Sequence, residues 1–331
     1  MASTIRDVAQ HAGVSIATVS RAMREPAVVS PQTRERVQRA VDELAFVPSQ
    51  LGRQLAERRY AANGIVFPDL SGPYYAEVVL GYEEVTAELG RSVLILSTNG
   101  RAGAAELVHQ LAGRCDGLVV FGRTVPDEVL ERLAERGTPL VLLARTPLPG
   151  ADRTDTVNAE NTDSAHALAG HLADAGARTV TFVGDPGLSP DLAERLEGLR
   201  QGAVARGLDV TVHQPRAMDE GAGAVVAAEL SALPRGLPDA LACANDELAL
   251  GLVTALRERG VRVPEDVLVS GWDDVMAARY AGLTTVRQPM RDLGGTAARL
   301  LDERISGIRS TPTHLVLPTE LVVRATTTRP L

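Results

Sequence analysis

Two sets of side chains in this sequence have the types and spacing to recognise something outside the chain. The first lies in "GVSIATVSRAM", Gly13 to Met23. A Gly-turn and a Ser15 cap would start a short helix that presents Ile16, Ala17 and Arg21 outward. Exposed apolar groups contact thymine methyls, and an arginine reaches a guanine edge or a phosphate. Ser15, Thr18 and Ser20 offer hydroxyls to a nucleic-acid backbone. The second set follows apolar runs: Tyr74 and Tyr75 in "SGPYY", Asn245-Asp246 after "ALAC", and Trp272-Asp273 after "VLVSG". Short amides and carboxylates at strand ends exchange hydrogen bonds with neighbouring hydroxyls of a sugar-like ligand. Each has a plainer use: the aromatics as core packing, Asp246 as the cap of the following helix.

These residues need elements to hold them. Thr4, with Asp7 three residues on, fits a capping box for a first helix striped by Ile5, Val8 and Ala9, and Gly13 ends it. Ser15 caps a second helix to about Met23, with Val19 inward. Ser30-Pro31 starts a third, which carries Val37, Ala40, Val41 and Leu44 on one face, and Phe46-Val47-Pro48 closes the small core. Thr4 to Met23 therefore has the length of a helix-turn-helix, whose second helix enters the major groove. From Gly64 the pattern becomes α/β: "GIVFPD", "SVLILST", "GLVVFG" and "PLVLLA" alternate with helical stretches at 74–89, 103–113 and 126–136. A second set, "TVTFVGD", "ALACAND" and "VLVSGWDD", brackets helices at 190–206 and 247–259. This is the grammar of parallel strands with crossover helices, run twice, with ligands expected in the crevice at the strands' carboxyl ends. The closing "THLVLPTELVVRAT" implies crossings between the halves near 160, 288 and 318.

Composition adds an asymmetry. The chain has 331 residues and a net charge of -8, and all 34 basic side chains are arginine. Residues 1–60 hold nine arginines against six acids, +3, which leaves -11 for the remainder. A basic head on an acidic body places the anionic partner at the head alone. Cys115 and Cys243 fall in different repeats and read as reduced thiols. No apolar h-region opens "MASTIRDVAQ" and no run reaches the length of a membrane span, so a cytoplasmic location and no membrane partner are expected.

"TIRDVAQHAGVSIATVSRAM…VSPQTRERVQRAVDELAFVPSQLGRQLAERR" resembles the DNA-binding head of the lactose-repressor (LacI/GalR) family. The similarity continues through "GIVFPDLSGPYYAEVVLGYEE", "RCDGLVVFG", "AERLEGLR", "CANDELALG", "GWDD" and "LTTVRQP", nearly the whole chain. It implies an all-α helix-turn-helix head at 1–47, a hinge helix or linker at 48–60, and a periplasmic-binding-protein-like core at 61–331. The core is a pair of doubly wound parallel-sheet subdomains, about 61–159 with 289–317 and about 160–288 with 318–331. The partners implied are a pseudo-palindromic double-stranded DNA operator, a small effector and a second copy of the chain. Thr4 and Ser30 join the head residues above as DNA contacts. In the hinge, Gln50, Leu51, Arg53 and Gln54 flank Leu55, which stands where relatives wedge a leucine into the minor groove. Gly52 departs from the alanine common there and costs about 1 kcal/mol of helix propensity.

In the crevice, the resemblance makes Tyr75 the stacking ring, Arg195 the ligand-clamping arginine and Gln288 a further contact, beside Tyr74, Asn245, Trp272 and Asp273. Ala144 stands where relatives often carry an aspartate. Arg145, next to it, either favours an anionic effector such as a sugar phosphate or acid, or points outward. A neutral sugar and an anionic or nucleobase effector thus both stay open. Dimer contacts are expected near 74–89 and 247–259, and the absence of a heptad tail after "TTTRPL" favours a dimer over a tetramer.

Other chemistries find little support. "GAGAVV" at 221–226 lacks the third glycine of a dinucleotide fingerprint, and His166 and His171 have the wrong spacing for a helical zinc pair. There is no G-x-S-x-G elbow. No cofactor, metal or catalytic residue is expected, and the competing classes are a sugar-binding transport protein and an α/β enzyme.

Overall fold

The computed structural model describes residues 3–46, 60–98, 100–148, 154–234 and 236–328. The chain forms two compact units, Met1–Tyr60 and Ala61–Leu331. In the first, helices α1 (Ile5–Ala12), α2 (Ile16–Arg24) and α3 (Pro31–Glu43) enclose a core of Val8, Ala9, Ala12, Val19, Ala22, Val37, Ala40 and Phe46. The Thr4 hydroxyl accepts from Asp7 N and the Asp7 carboxylate answers from Thr4 N at 2.8 Å, a complete capping box. Gly13 takes φ +62°, a left-handed turn that glycine adopts without steric cost, and closes α1. The hinge positions Gln50, Leu51, Arg53, Gln54 and Leu55 lie outside the described residues.

The second unit is α/β. Its first sheet runs from β1 (Ala62–Phe67) through β2 (Ser92–Ser97), β3 (Gly117–Phe121), β4 (Leu140–Leu143) and β5 (Thr154–Ala159) to β11 (His314–Leu317). The six strands are parallel, in the order β11-β5-β4-β3-β1-β2. Helices α4 (Pro73–Glu88), α5 (Ala104–Ala112), α6 (Asp127–Glu135) and α12 (Met290–Ile305) belong to this half. The second sheet joins β6 (Thr179–Val183), β7 (Asp209–His213), β8 (Ala240–Cys243) and β9 (Leu268–Ser270), all parallel, in the order β7-β6-β8-β9. Its helices are α7 (Thr162–Asp174), α8 (Pro190–Arg206), α9 (Glu220–Ser231), α10 (Asp246–Glu258) and α11 (Met276–Ala281). An antiparallel ribbon, β10 (Thr285–Arg287) with β12 (Glu320–Val322), completes it. The chain crosses between the halves at Glu160-Asn161, Gln288-Pro289 and Pro318-Thr319, as the changes of sheet require.

Several elements escape the apolar pattern, and β5 shows why. "TDTVNA" is a buried strand with polar residues, because the Asp155 carboxylate is met by Arg304 from α12 and by Thr313 N at 2.6 Å. Helix α9 contains "GAGAVV", where Gly223 lets its backbone meet α10: a Cβ there would lie 2.3 Å from Leu248 O. Cys115 and Cys243 are free and buried, and burial pushes the Cys115 thiol up to about 12.

Candidate functional site

The head offers one working face. Ser15 caps α2 by accepting from Thr18 N at 3.1 Å, and Ser30 caps α3 by accepting from Thr33 N at 3.4 Å. With Val19 turned into the core, α2 leaves Ile16 and Ala17 exposed at its N-terminal end and Arg21 exposed about a turn further on, with Thr18 and Ser20 half-buried. Ile16 is 43% exposed, an apolar side chain that the head does not use in its own packing. Val28, in the short 3-10 turn Pro26–Val28, is 66% exposed and extends the apolar surface beyond α2. Pattern reading passed over it because a lone valine in a turn carries no period.

In the core, the carboxyl ends of β1 and β3 bring Phe67 and Phe121 beneath Tyr74 and Tyr75 at the start of α4. The four rings meet edge to face or tilted, with Tyr75–Phe121 centroids 5.3 Å apart and Tyr74–Tyr75 5.5 Å. The other half supplies charge and polarity. Arg195 on α8 is buried, lies over the Trp272 ring with 4.6 Å from guanidinium carbon to centroid, and donates from Nη1 to Ala244 O at 2.7 Å. Its Nε donates to Asn161 Oδ1 at 2.9 Å. Gln288 Nε2 donates to Asp273 Oδ1 at 2.5 Å. Gln288 Oε1 and Trp272 Nε1 are buried with no partner among the described residues.

The two half-sites face each other. The Asp273 and Asp191 charges act on both tyrosines, whose hydroxyls burial, first of all, raises far above their ordinary range. Gly72, at φ +83°, brings the start of α4 so close to Glu247 on α10 that a Cβ would lie 2.5 Å from Glu247 Oε1. Burial also pushes up the carboxyls of Asp273, Asp191 and Glu247, with Arg195 pulling the first two down. Sequence reasoning missed Asp191, Glu247, Phe67 and Phe121. The phenylalanines closed apolar strands, and the acids sat in helix first turns, where carboxylates are ordinary.

Three residues at or after the strand ends have partners within the protein. Arg145 is neither outward nor free for an anion: Nη1 donates to Gly122 O at 2.8 Å and Val125 O at 3.1 Å, and Nη2 pairs with Asp127. Its charge pins the loop after β3. Asn245 is the N-cap of α10, accepting from Leu248 N at 3.1 Å and donating to Met218 O at 2.8 Å. Asp246 is thus not the cap; it is buried, accepting from Thr285 Oγ1 at 2.7 Å and Val275 N at 2.9 Å, and burial raises its carboxyl to about 7. Strand-end position alone did not disclose these structural uses.

Large apolar side chains stand exposed at Leu80 on α4, at Ile95 on β2 and at Met276 and Tyr280 on α11, whereas the apolar residues of α10 pack inward. Among the described residues there is no group of three or more His, Cys, Asp or Glu arranged to hold a metal ion. None of their helices is long and apolar enough to cross a membrane.

Comparison with known proteins matches both units. The profile of bacterial regulatory proteins of the lacI family covers residues 4–49, and that of a periplasmic binding protein-like domain covers 169–327. The HTH-type transcriptional regulator CelR of Thermobifida fusca is 34% identical over 97% of each chain. The structure of the lac repressor dimer bound to operator and the anti-inducer ONPF superposes with a TM-score of 0.86 at 27% identity, covering 99% of this chain and 100% of that one. A CelR–cellobiose complex gives 0.72 at 31% identity, with 98% and 99% covered.

Proposed function

The chain belongs to the LacI family of bacterial regulatory proteins, and we propose that it is a cytoplasmic, homodimeric repressor of carbohydrate-utilisation genes, released or recruited by a neutral sugar. DNA binding and regulation of transcription come with the family. The effector class rests on one observation: Arg195, the buried arginine among the described crevice residues, has Nε and Nη1 already engaged with Asn161 and Ala244, among carboxyls that burial pushes up. Three N–H groups on Nη1 and Nη2 remain to donate to ligand oxygens, and the buried carboxyls around them make an added anion less favourable than a neutral hydroxylated ring. Asp273, Gln288 Oε1 and Trp272 Nε1 supply the further acceptors and donor that a polyhydroxylated ring needs, and Tyr75 the face on which it stacks.

On this reading residues 1–47 are the head, 48–60 the hinge and 61–331 the effector-binding core. Thr4, Ser15, Thr18, Ser20 and Ser30 meet the operator backbone, while Ile16, Ala17 and Arg21 read bases. Leu80, Met276 and Tyr280 contribute to the dimer face. Effector binding acts through its different affinity for the two arrangements of the core halves, one of which suits the operator. Calorimetric titration of the full chain tests the effector class: cellobiose binds saturably, while glucose 6-phosphate and glucuronic acid do not. Binding of the anions alone would reject it.

A further inference from the structure

The residue at the first crossing between the core halves has an unusual assignment. Asn161 occupies the N-cap of α7, where an asparagine ordinarily accepts from its own helix, yet it makes no such bond. Glu160 does that work, accepting from Asp163 N at 2.5 Å and Ser164 N at 3.0 Å, and reaching Thr319 of the third crossing at 3.2 Å. The Asn161 amide, 1% exposed, is thereby free for other partners. Its Nδ2 donates to Ala159 O, the end of β5, at 3.1 Å and to Glu194 Oε2 at 3.2 Å; its Oδ1 accepts from Arg195 Nε at 2.9 Å. One amide thus joins the last strand residue of the first half to the arginine of the second.

We propose that Asn161 is a positioning residue that ties Arg195 to the crossing, so that the arginine's orientation in the crevice follows the segment about which the two halves turn. The inference rests on the reading of the crevice as the effector site. Arg195 is otherwise held through Nη1 by Ala244 O and by its stacking on Trp272. Without the Asn161 oxygen the guanidinium can swing about that remaining bond, and its free donors lose their aim.

Trp272 is the only tryptophan, so its emission reports the stacked arginine with no ligand present. The test compares the full chain with four variants: Asn161→Ser, a favoured cap too short to reach Arg195; Asn161→Asp, which keeps the acceptor; Glu160→Ala, which removes the cap; and Arg195→Ala. Asn161→Ser takes the emission of Arg195→Ala while keeping its melting temperature. Asn161→Asp keeps the wild-type emission, and Glu160→Ala melts lower with emission unchanged. Cellobiose affinity falls roughly tenfold in Asn161→Ser, the loss expected for a misplaced hydrogen bond to a charged donor. Wild-type emission in Asn161→Ser or in Arg195→Ala overturns the proposal, as does an equal shift in Glu160→Ala. Should Asn161→Ser not fold, Asn161→Asp decides alone: emission like that of Arg195→Ala overturns it. Failure of the wild-type chain to bind cellobiose counts against the sugar assignment and leaves the emission test standing.

Discussion

Arg21 and Arg195 carry the same guanidinium and stand in opposite situations. Arg21 is exposed on a helix whose inward face is spoken for by Val19, and the exposed Ile16 and Ala17 share its surface. Arg195 is buried, stacked on Trp272 and bonded twice before any ligand arrives. The difference indicates the kind of partner each meets. An exposed, uncommitted cation is suited to a large polyanion whose binding releases counterions and falls steeply with salt. A buried, preorganised one is suited to a small neutral molecule and is little affected by salt, because its contacts are shielded from solvent ions.

Removing Arg195 breaks the core side of this comparison and has the largest expected effect. Arg195→Ala lowers cellobiose affinity roughly a hundredfold by calorimetry, since it deletes the donor and leaves Asn161 Oδ1 and Ala244 O short of theirs. Effector-free operator binding stays unchanged. Removing Arg21 is the mirror experiment. Arg21→Ala costs about 1–3 kcal/mol of operator affinity if it reads a base, with relaxed specificity at one position. If it meets a phosphate, the loss is uniform across sequences and the salt slope drops by about one. Sugar binding is unaffected in either case.

The core's buried carboxyls sharpen the contrast. Asp246 has its pKa raised to about 7 by burial, so the folded state holds a proton that the unfolded state gives up near its ordinary value of about 4. The resulting stability is fully present below about pH 4 and is lost as pH rises through about 7. Asp246→Asn imitates the neutral acid toward Thr285 and Val275, so melting temperature followed from pH 5 to 8 falls less in the variant than in the wild type. A parallel fall in both would remove Asp246 from the explanation. The smallest effect belongs to the hinge segment: Gly52→Ala tightens operator binding by up to about 1 kcal/mol through helix propensity. Unchanged binding would show that this segment does not become helical on DNA.

The two regions also differ in how far their sequences disclose them. The head was readable almost residue by residue, because caps, a left-handed glycine and a helical stripe are local rules, and whatever the stripe excludes must face out. Most strands of both doubly wound sheets were likewise visible in the apolar runs, but β5 and β7 were not. The crevice was only partly readable. Asn245, Asp246 and Arg145 are polar residues at or after strand ends, as Asp273 is, and they serve as a cap, a buried loop anchor and a loop pin. Which role each takes depends on long-range partners such as Met218, Thr285 and Asp127, which no local pattern specifies. Strand β5 was hidden for the same reason: Arg304, 149 residues away, lets Asp155 sit in a buried strand.

The central claim is that a buried sugar site governs an exposed DNA-reading face. The most direct measurement is fluorescence anisotropy of a labelled pseudo-palindromic duplex, selected on this protein from a randomised pool and titrated with the full chain with and without cellobiose. The account predicts that cellobiose changes operator affinity at least about tenfold, the usual scale of allosteric coupling, and that Arg195→Ala abolishes the change while keeping effector-free affinity. Saturable cellobiose binding with no change in operator affinity would contradict it.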